Sequence, residues 1–219
     1  MLVALIPVKE LSKAKARLAS ALDEKGRREL ATALFRDVLA AALECPALDR
    51  VAVVTRDRDA LQITSDAGAE GMDDPGDLNE SLDAVARNLA GQGADRILVI
   101  HADLPLVSTA DIETVARAEA DVALVASGDG GTNAMVCPAG AFGFQYGPGS
   151  AQAHKEAAWD ADLEPELLDL PGLALDIDTP ADLERLQQAI ETGRPAGEHT
   201  LAALITLGLV SDSRRVHQP

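Results

Sequence analysis

Ile97-Leu98-Val99-Ile100 is an unbroken apolar run that stops just short of Asp103, and it constrains the fold more than any other stretch. A strand with one wet face alternates apolar and polar residues. A run without alternation is buried on both faces, as in the interior of a parallel sheet. Pro105 then blocks continuation as a central strand or helix interior. Ser108 reads as the N-cap of a helix over Thr109–Ala118. A carboxylate therefore stands at the carboxyl end of an interior strand, where open α/β sheets bind ligands. Taken alone, Asp103 reads more readily as a turn cap. The stretch Leu175-Asp176-Ile177-Asp178-Thr179-Pro180 changes that, because it sets two more carboxylates at a strand-like end closed by proline. Three carboxylates without surplus His or Cys point to a hard cation such as Mg²⁺, held through oxygen.

The flanking pattern alternates strand and helix signals. Strands are expected over residues 2–8, Val51–Thr55, Asp121–Ala126, Ala134–Cys137 and Leu173–Asp178. Helices are expected over 23–44, Asp57–Ala67 with Gly68 closing it, Leu78–Leu89 and Ala181–Glu191. In the first of these, Leu30, Leu34 and Val38 share a face. Such alternation predicts an α/β fold with a mostly parallel central sheet. The one soft boundary is Thr192-Gly193-Arg194-Pro195-Ala196-Gly197, dividing a domain over 1–192 from a tail over 193–219. Within the tail, Thr200–Leu209 is apolar enough to dock as a helix on the body or on a second subunit, which leaves a homodimer open.

Composition narrows the partners. The chain has 219 residues, 47% of them hydrophobic but only 2% aromatic, so the core must be built from Ala, Val, Leu and Ile. No stretch reaches the ~18 uninterrupted apolar residues of a membrane span, and the start carries no leader pattern; the expectation is a cytoplasmic protein. Cys45 and Cys137 are expected to be buried free thiols. A net charge of −17 argues against nucleic acid and anionic membranes. Residues 1–36 run the other way, with eight Lys/Arg against four acids. A basic start on an acidic chain suits a small polyanionic substrate, though a solvated helix face accounts for the charge equally well.

Pro7-Val8-Lys9, Lys15 and Arg17 follow the first strand at the edge where phosphates bind. The spacing is neither that of a P-loop nor that of a dinucleotide fingerprint, so basic side chains rather than a glycine nest would hold the phosphates. Two glycine-rich turns follow later. Gly128-Asp129-Gly130-Gly131 precedes Thr132 and Asn133, and Gly147-Pro148-Gly149-Ser150 opens a helix carrying His154. Backbone N–H groups at such a helix start suit an anion. His101 and His154 are candidates for substrate contacts, with a neutral hydrogen-bonded role expected for His101.

Taken in order, Ile6-Pro7-Val8-Lys9 with Lys15-Ala16-Arg17-Leu18, Ala102-Asp103-Leu104-Pro105, Gly130-Gly131-Thr132-Asn133, Gly147-Pro148-Gly149-Ser150 with His154, and Asp176-Ile177-Asp178-Thr179-Pro180 resemble the motifs of the 2-phospholactate guanylyltransferase family of coenzyme F420 biosynthesis. Pro75-Gly76-Asp77-Leu78-Asn79 is similar to that family's Gly-Leu-Asn segment, with Asp77 in place of a glycine. The resemblance covers roughly residues 1–190 and implies a single-domain nucleotidyltransferase fold of the Rossmann-like, GT-A type. It further implies transfer of GMP from GTP onto a small phosphorylated carboxylic acid with release of pyrophosphate. By the same resemblance Asp103, Asp176 and Asp178 hold Mg²⁺. Pro7, Lys9, Lys15, Arg17, Asn79 and Asp103 serve GTP, and Thr132, Asn133, Gly147, Gly149 and Ser150 serve the acceptor. Lys9, Lys15, Arg17 and Asp103 are the expected catalytic set.

Elementary chemistry fits this reading. A phosphate monoester has a second pKa near ~6, so at neutral pH the acceptor is a nucleophile without a general base. The acceptor itself stays open among 2-phospholactate, phosphoenolpyruvate and 3-phosphoglycerate. Two other readings stand beside it: a sugar-phosphate or cytidylyl transferase of the same fold, and a non-catalytic nucleotide-binding homologue.

Overall fold

A computed structural model describes residues 1–74 and 76–211. Pro75, the first residue of the Gly-Leu-Asn-like segment, and the end of the expected tail lie outside them. Seven strands are described: β1 (Leu2–Pro7), β2 (Arg50–Val54), β3 (Glu70–Met72), β4 (Arg96–Ile100), β5 (Val122–Ala126), β6 (Thr132–Pro138) and β7 (Pro165–Leu167). They form one sheet in the order β3-β2-β1-β4-β6-β5-β7. Only β6 runs antiparallel to its neighbours β4 and β5. The helices are α1 (Glu24–Leu43), α2 (Arg58–Asp66), α3 (Leu78–Gly91), α4 (Thr109–Ala116), α5 (Ser150–Asp160), α6 (Pro171–Ala174), α7 (Pro180–Glu191) and α8 (Glu198–Thr206).

The unalternating run of β4 is explained by its place. It lies between β1 and β6, and Ile97, Leu98, Val99 and Ile100 are each fully buried. Helices cover both faces. Ala4, Ile6, Leu98 and Ile100 pack with Ala31, Phe35, Val38 and Leu39 of α1 and with Ile112 and Val115 of α4. On the other face Val3, Leu5, Ile97 and Val99 pack with Leu82, Val85 and Leu89 of α3. A third cluster joins Leu30 and Leu34 of α1 to Leu183 and Leu186 of α7 and Leu204 of α8. The face of α1 expected from Leu30, Leu34 and Val38 thus serves two clusters. Cys45 and Cys137 are buried free thiols, as expected. Among the described residues no helix is long and apolar enough to cross a membrane.

The expected strand over Leu173–Asp178 is a correction. Pro171–Ala174 forms the single helical turn α6, and the chain then passes the end of β4 with one backbone bond, Ile177 N–H to Asp103 C=O at 3.3 Å. The apolar alternation there comes from Leu173 and Ile177 entering two different helix-bounded clusters. No ladder position is open to it, because β4 already has β1 on one side and β6 on the other. The remaining strands, β3 and β7, are three-residue edge strands too short to show a period.

Chain order fixes the site. From β1 the sheet grows outward through β2 to β3, and β4 then returns to the other side of β1. The switch point lies between β1 and β4, and ligands of open α/β sheets bind in the crevice at the carboxyl ends of such strands.

Of the two partners left open for the tail helix, α8 packs on the body of its own chain, against α1. Asp37 of α1 is buried, and its carboxylate accepts from His199 N–H at 3.0 Å and Thr200 N–H at 2.7 Å, capping α8.

Candidate active site at the switch point

Two loops meet at the crevice. After β1 the chain makes two short 3₁₀ turns, Leu11–Lys13 and Ala16–Leu18, with Lys15 between them. Lys15 has φ 57° and ψ 37°, a left-handed conformation that costs a non-glycine residue about 1–3 kcal/mol and tends to persist where function requires it. Here it turns the side chain inward. Only 8% of that side chain is exposed, and Nζ donates to Asp103 Oδ2 at 2.5 Å and to Asp178 Oδ1 at 3.0 Å. Arg17 points along the rim: it is 74% exposed, with its guanidinium 4.0 Å from Asp178. Lys9 is exposed and Pro7 is half-buried.

Asp103, Asp176 and Asp178 each place a carboxylate oxygen within 4.8 Å of the other two. Three devices hold them. Asp103 stands three residues past the end of β4. The Asn133 carboxamide, at the start of β6, donates to Leu173 C=O at 2.9 Å and to Asp176 at 3.4 Å. Asp178 precedes the capping box of α7, where the Asp182 carboxylate accepts from the N–H groups of Asp178 (3.1 Å) and Thr179 (2.7 Å). Thr179 with Asp182 three positions on is a capping-box pattern, so this support was readable in advance.

The electrostatics follow from the geometry. Burial alone would lower the Lys15 pKa, but the Asp103 and Asp178 charges outweigh it and raise it. Asp103 is the mirror image: burial pushes its pKa up, and Lys15 more than compensates, so it ends below the usual carboxylate range. Among the described residues Asp176 has no such cation. Burial and then the Asp103 charge push it up to about 6. One lysine therefore compensates two of three crowded carboxylates, and among the described residues Asp103 Oδ1 is buried without a hydrogen-bond partner. An oxygen-only set with an orphaned buried ligand atom and surplus negative charge fits a hard divalent cation.

The two glycine-rich turns come together beside this cluster. Ala151 N–H donates to Gly130 C=O at 3.2 Å, and the Ser150 hydroxyl meets that of Thr132 at 3.1 Å. Gly147 (φ 148°) and Gly149 (φ 72°) hold backbone conformations that a side chain would strain. The expectation of an anion facing the amides that open α5 is corrected here. Ser150 N–H bonds Gly147 C=O, Ala151 N–H bonds Gly130 C=O, and Gln152 and Ala153 N–H both bond Gly149 C=O. Thr132, Ser150 and His154 are all buried, and Asn133 links the glycine-rich turns to Asp176.

The hydrogen-bonded role expected for His101 falls to His154. His154 is bonded at both ring nitrogens, to Thr132 Oγ1 at 3.0 Å and to Gln145 N–H at 2.9 Å. Among the described residues His101 Nε2 is buried without a partner, and its ring lies 5.2 Å from that of Tyr146. Asn79, expected at GTP, clasps the Tyr146 backbone: its amide nitrogen donates to Tyr146 C=O at 3.0 Å and its oxygen accepts from Tyr146 N–H at 2.8 Å. Asp77, in the glycine position, caps α3 by accepting from Asn79 and Glu80 N–H. Tyr146 escaped the sequence reading, since nothing local marks the chain's one tyrosine as the hub of this loop. The basic N-terminal region divides. Lys15 and Arg17 serve the crevice, while Lys25, Arg28 and Arg36 line a shallow groove between α1 and α8.

Sheet order and switch-point cluster together define an open α/β protein with a lysine-bridged carboxylate cluster at its ligand-binding crevice. The same architecture recurs in a protein of Desulfovibrio desulfuricans G20 assigned to the nucleotide-diphospho-sugar transferases, with a TM-score of 0.77 at 19% identity, covering 94% of this chain and 96% of that one. The fold is thus that of the nucleotidyltransferases. The chain belongs to the family described as guanylyl transferase CofC like, whose model matches residues 2–195. It is 35% identical to the phosphoenolpyruvate guanylyltransferase of Conexibacter woesei over 92% of this chain and 94% of the relative. It is 30% identical to the 2-phospho-L-lactate guanylyltransferase of Methanothermobacter thermautotrophicus over 82% and 81%.

Proposed function

We propose that the chain transfers GMP from GTP onto a small phosphorylated carboxylic acid, phosphoenolpyruvate first among the candidates, as a step toward coenzyme F420. An acceptor phosphate oxygen bonds to the α-phosphorus, the bond between the α-phosphorus and the α–β bridging oxygen breaks, and pyrophosphate leaves. The observation that carries this reading is the bridge from Lys15 to Asp103 and Asp178 beside Asp176, at the switch point of a chain matched by a guanylyl transferase family over residues 2–195.

Two polyanions must be brought together in line, so the main task of the site is electrostatic. Lys15 is positioned to hold a phosphate oxygen, with Arg17 and Lys9 available at the rim. Asp103, Asp176 and Asp178 would hold Mg²⁺, which supplies positive charge to the phosphates. The acceptor phosphate is already ionised at neutral pH, so no side chain has to remove a proton. Thr132, Asn133 and Ser150, with Gly147 and Gly149 shaping their loop, are assigned to the acceptor. GTP and phosphorylated acids are soluble metabolites, and the cytoplasm is the compartment assigned.

Pyrophosphate release from GTP with Mg²⁺, measured separately with phosphoenolpyruvate, 2-phospholactate and 3-phosphoglycerate, tests the reading. CTP and UTP serve as competing donors. Turnover with at least one acid, specific to GTP and lost on chelation, is expected. Asp103→Asn should retain the fold and lose at least about a hundredfold in turnover, the scale of one electrostatic catalytic contact. Equal use of CTP, or no release with any acid, would replace the guanylyltransferase reading with one of the two alternatives.

A further inference from the structure

The buried group formed by His154, Thr132, Ser150 and the Gln145 backbone can be read by counting hydrogens. A backbone N–H can only donate. Gln145 N–H lies 2.9 Å from His154 Nε2, so Nε2 carries the lone pair and the neutral ring carries its hydrogen on Nδ1. Burial lowers the His154 pKa to about 4, which keeps the ring neutral at pH 7. Nδ1–H then donates to Thr132 Oγ1 at 3.0 Å, and one further contact, at 3.1 Å, joins the Thr132 and Ser150 hydroxyls. The three side chains hold three hydrogens across two contacts, so one hydroxyl hydrogen is left over. Were the proton on Nε2, Nδ1 would accept from Thr132, Thr132 would accept from Ser150, and none would remain.

We propose that the Gln145 amide, by fixing the His154 tautomer, turns the Thr132–Ser150 pair into a net hydrogen-bond donor directed at the anionic acceptor, with His154 as the positioning residue. This rests on the assignment of Thr132 and Ser150 to the acceptor. It predicts a preference for a fully ionised phosphate or carboxylate oxygen over a neutral hydroxyl: the pair has a hydrogen to give and His154 already fills one lone pair of Thr132. It also explains a histidine with no solvent contact and no place among the carboxylates.

The tautomer is measurable on the unmodified protein by ¹⁵N NMR of labelled histidine, whether or not the enzyme turns over. The His154 resonance should show a protonated Nδ1 and an unprotonated Nε2 at pH 7; protonation at Nε2, or at both nitrogens, overturns the proposal. In kinetics, Thr132→Val should raise the acceptor KM about tenfold or more, the scale of a hydrogen bond to a charged group. His154→Leu leaves the pair its spare hydrogen but no longer orients it, so it should raise the acceptor KM by a smaller factor and leave the GTP KM within about twofold. Combined with T132V, H154L should add no further loss in acceptor KM, because His154 acts on the acceptor only through the Thr132 hydroxyl that it orients. Multiplying losses, or a GTP KM that rises in step, would mean that His154 only supports the fold. If the parent enzyme shows the expected tautomer but transfers GMP to none of the three acids, the functional reading fails and the tautomer assignment does not.

Discussion

Lys15 Nζ lies 2.5 Å from Asp103 Oδ2 and so joins the loop after β1 to the loop after β4 across the switch point of the sheet. The contact is shielded, with 8% of the Lys15 side chain and 24% of the Asp103 side chain exposed. Asp178 completes the bridge, so one ammonium holds together parts of the chain that share no secondary structure.

Removing that ammonium should therefore affect both stability and chemistry. Lys15→Ala leaves two partly shielded carboxylates without their cation, a loss of about 1–3 kcal/mol by the usual cost of a charged hydrogen bond left unmade. Thermal unfolding in chelator should show the loss. Added Mg²⁺ should restore part of it, because the surplus negative charge then has another partner, while turnover stays low. A melting temperature equal to that of the parent in chelator would show that Lys15 is not the structural counterion of Asp103.

Asn79 offers a test between base recognition and loop positioning. Both ends of its amide are engaged by the Tyr146 backbone, and Gly147–Ser150 follow at once. Asn79→Ala should raise the acceptor KM several-fold and change GTP affinity little. If calorimetry instead finds GTP binding weakened and acceptor saturation unchanged, the residue belongs to the guanine side.

His154 gives the protein an acid-sensitive term of known sign. Its folded pKa of about 4 lies below the unfolded value near 6.5. Between those values the unfolded chain binds the extra proton, so the contribution is complete above pH 6.5 and is lost as pH falls toward 4. A shift of that size is worth about 3 kcal/mol. Denaturant unfolding from pH 7 to pH 4 should show the parent losing about that much relative to His154→Asn, in which the other titrating groups cancel. Parallel pH profiles for the two proteins would refute a buried, neutral His154.

The tail helix can be tested apart from the chemistry. Asp37 caps α8, and a Cβ on Gly197 would sit 2.2 Å from an Asp37 carboxylate oxygen. Asp37→Ala and Gly197→Ala should each cost about 1–2 kcal/mol, the range of a lost N-cap. Both should speed proteolysis within the 193–211 segment and leave GMP transfer unchanged. Protection equal to the parent would mean that α8 is held mainly by the apolar contacts of Leu204 with Leu30 and Leu34.

The sequence by itself determined the elements whose signals are local. The apolar run Ile97–Ile100, short, rich in β-branched residues and closed by Pro105, reads as an interior strand. Ser108 announces a helix start because a cap is made by residues a few positions apart. Carboxylates beside apolar stretches closed by proline, with a basic loop after the first strand, pointed to a cation-assisted anion site built on Asp103, Asp176 and Asp178. Tertiary structure decided what depends on distant partners. Lys15 reaches residues 88 and 163 positions away, so nothing in its neighbourhood separates it from exposed Lys9 or Arg17. Leu173–Asp178 looks like a strand, yet pairing needs an open edge, and the antiparallel entry of β6 had closed that edge of β4. The hydrogen on His154 is set by a backbone amide in a loop without secondary structure, a fact of geometry that no residue pattern encodes.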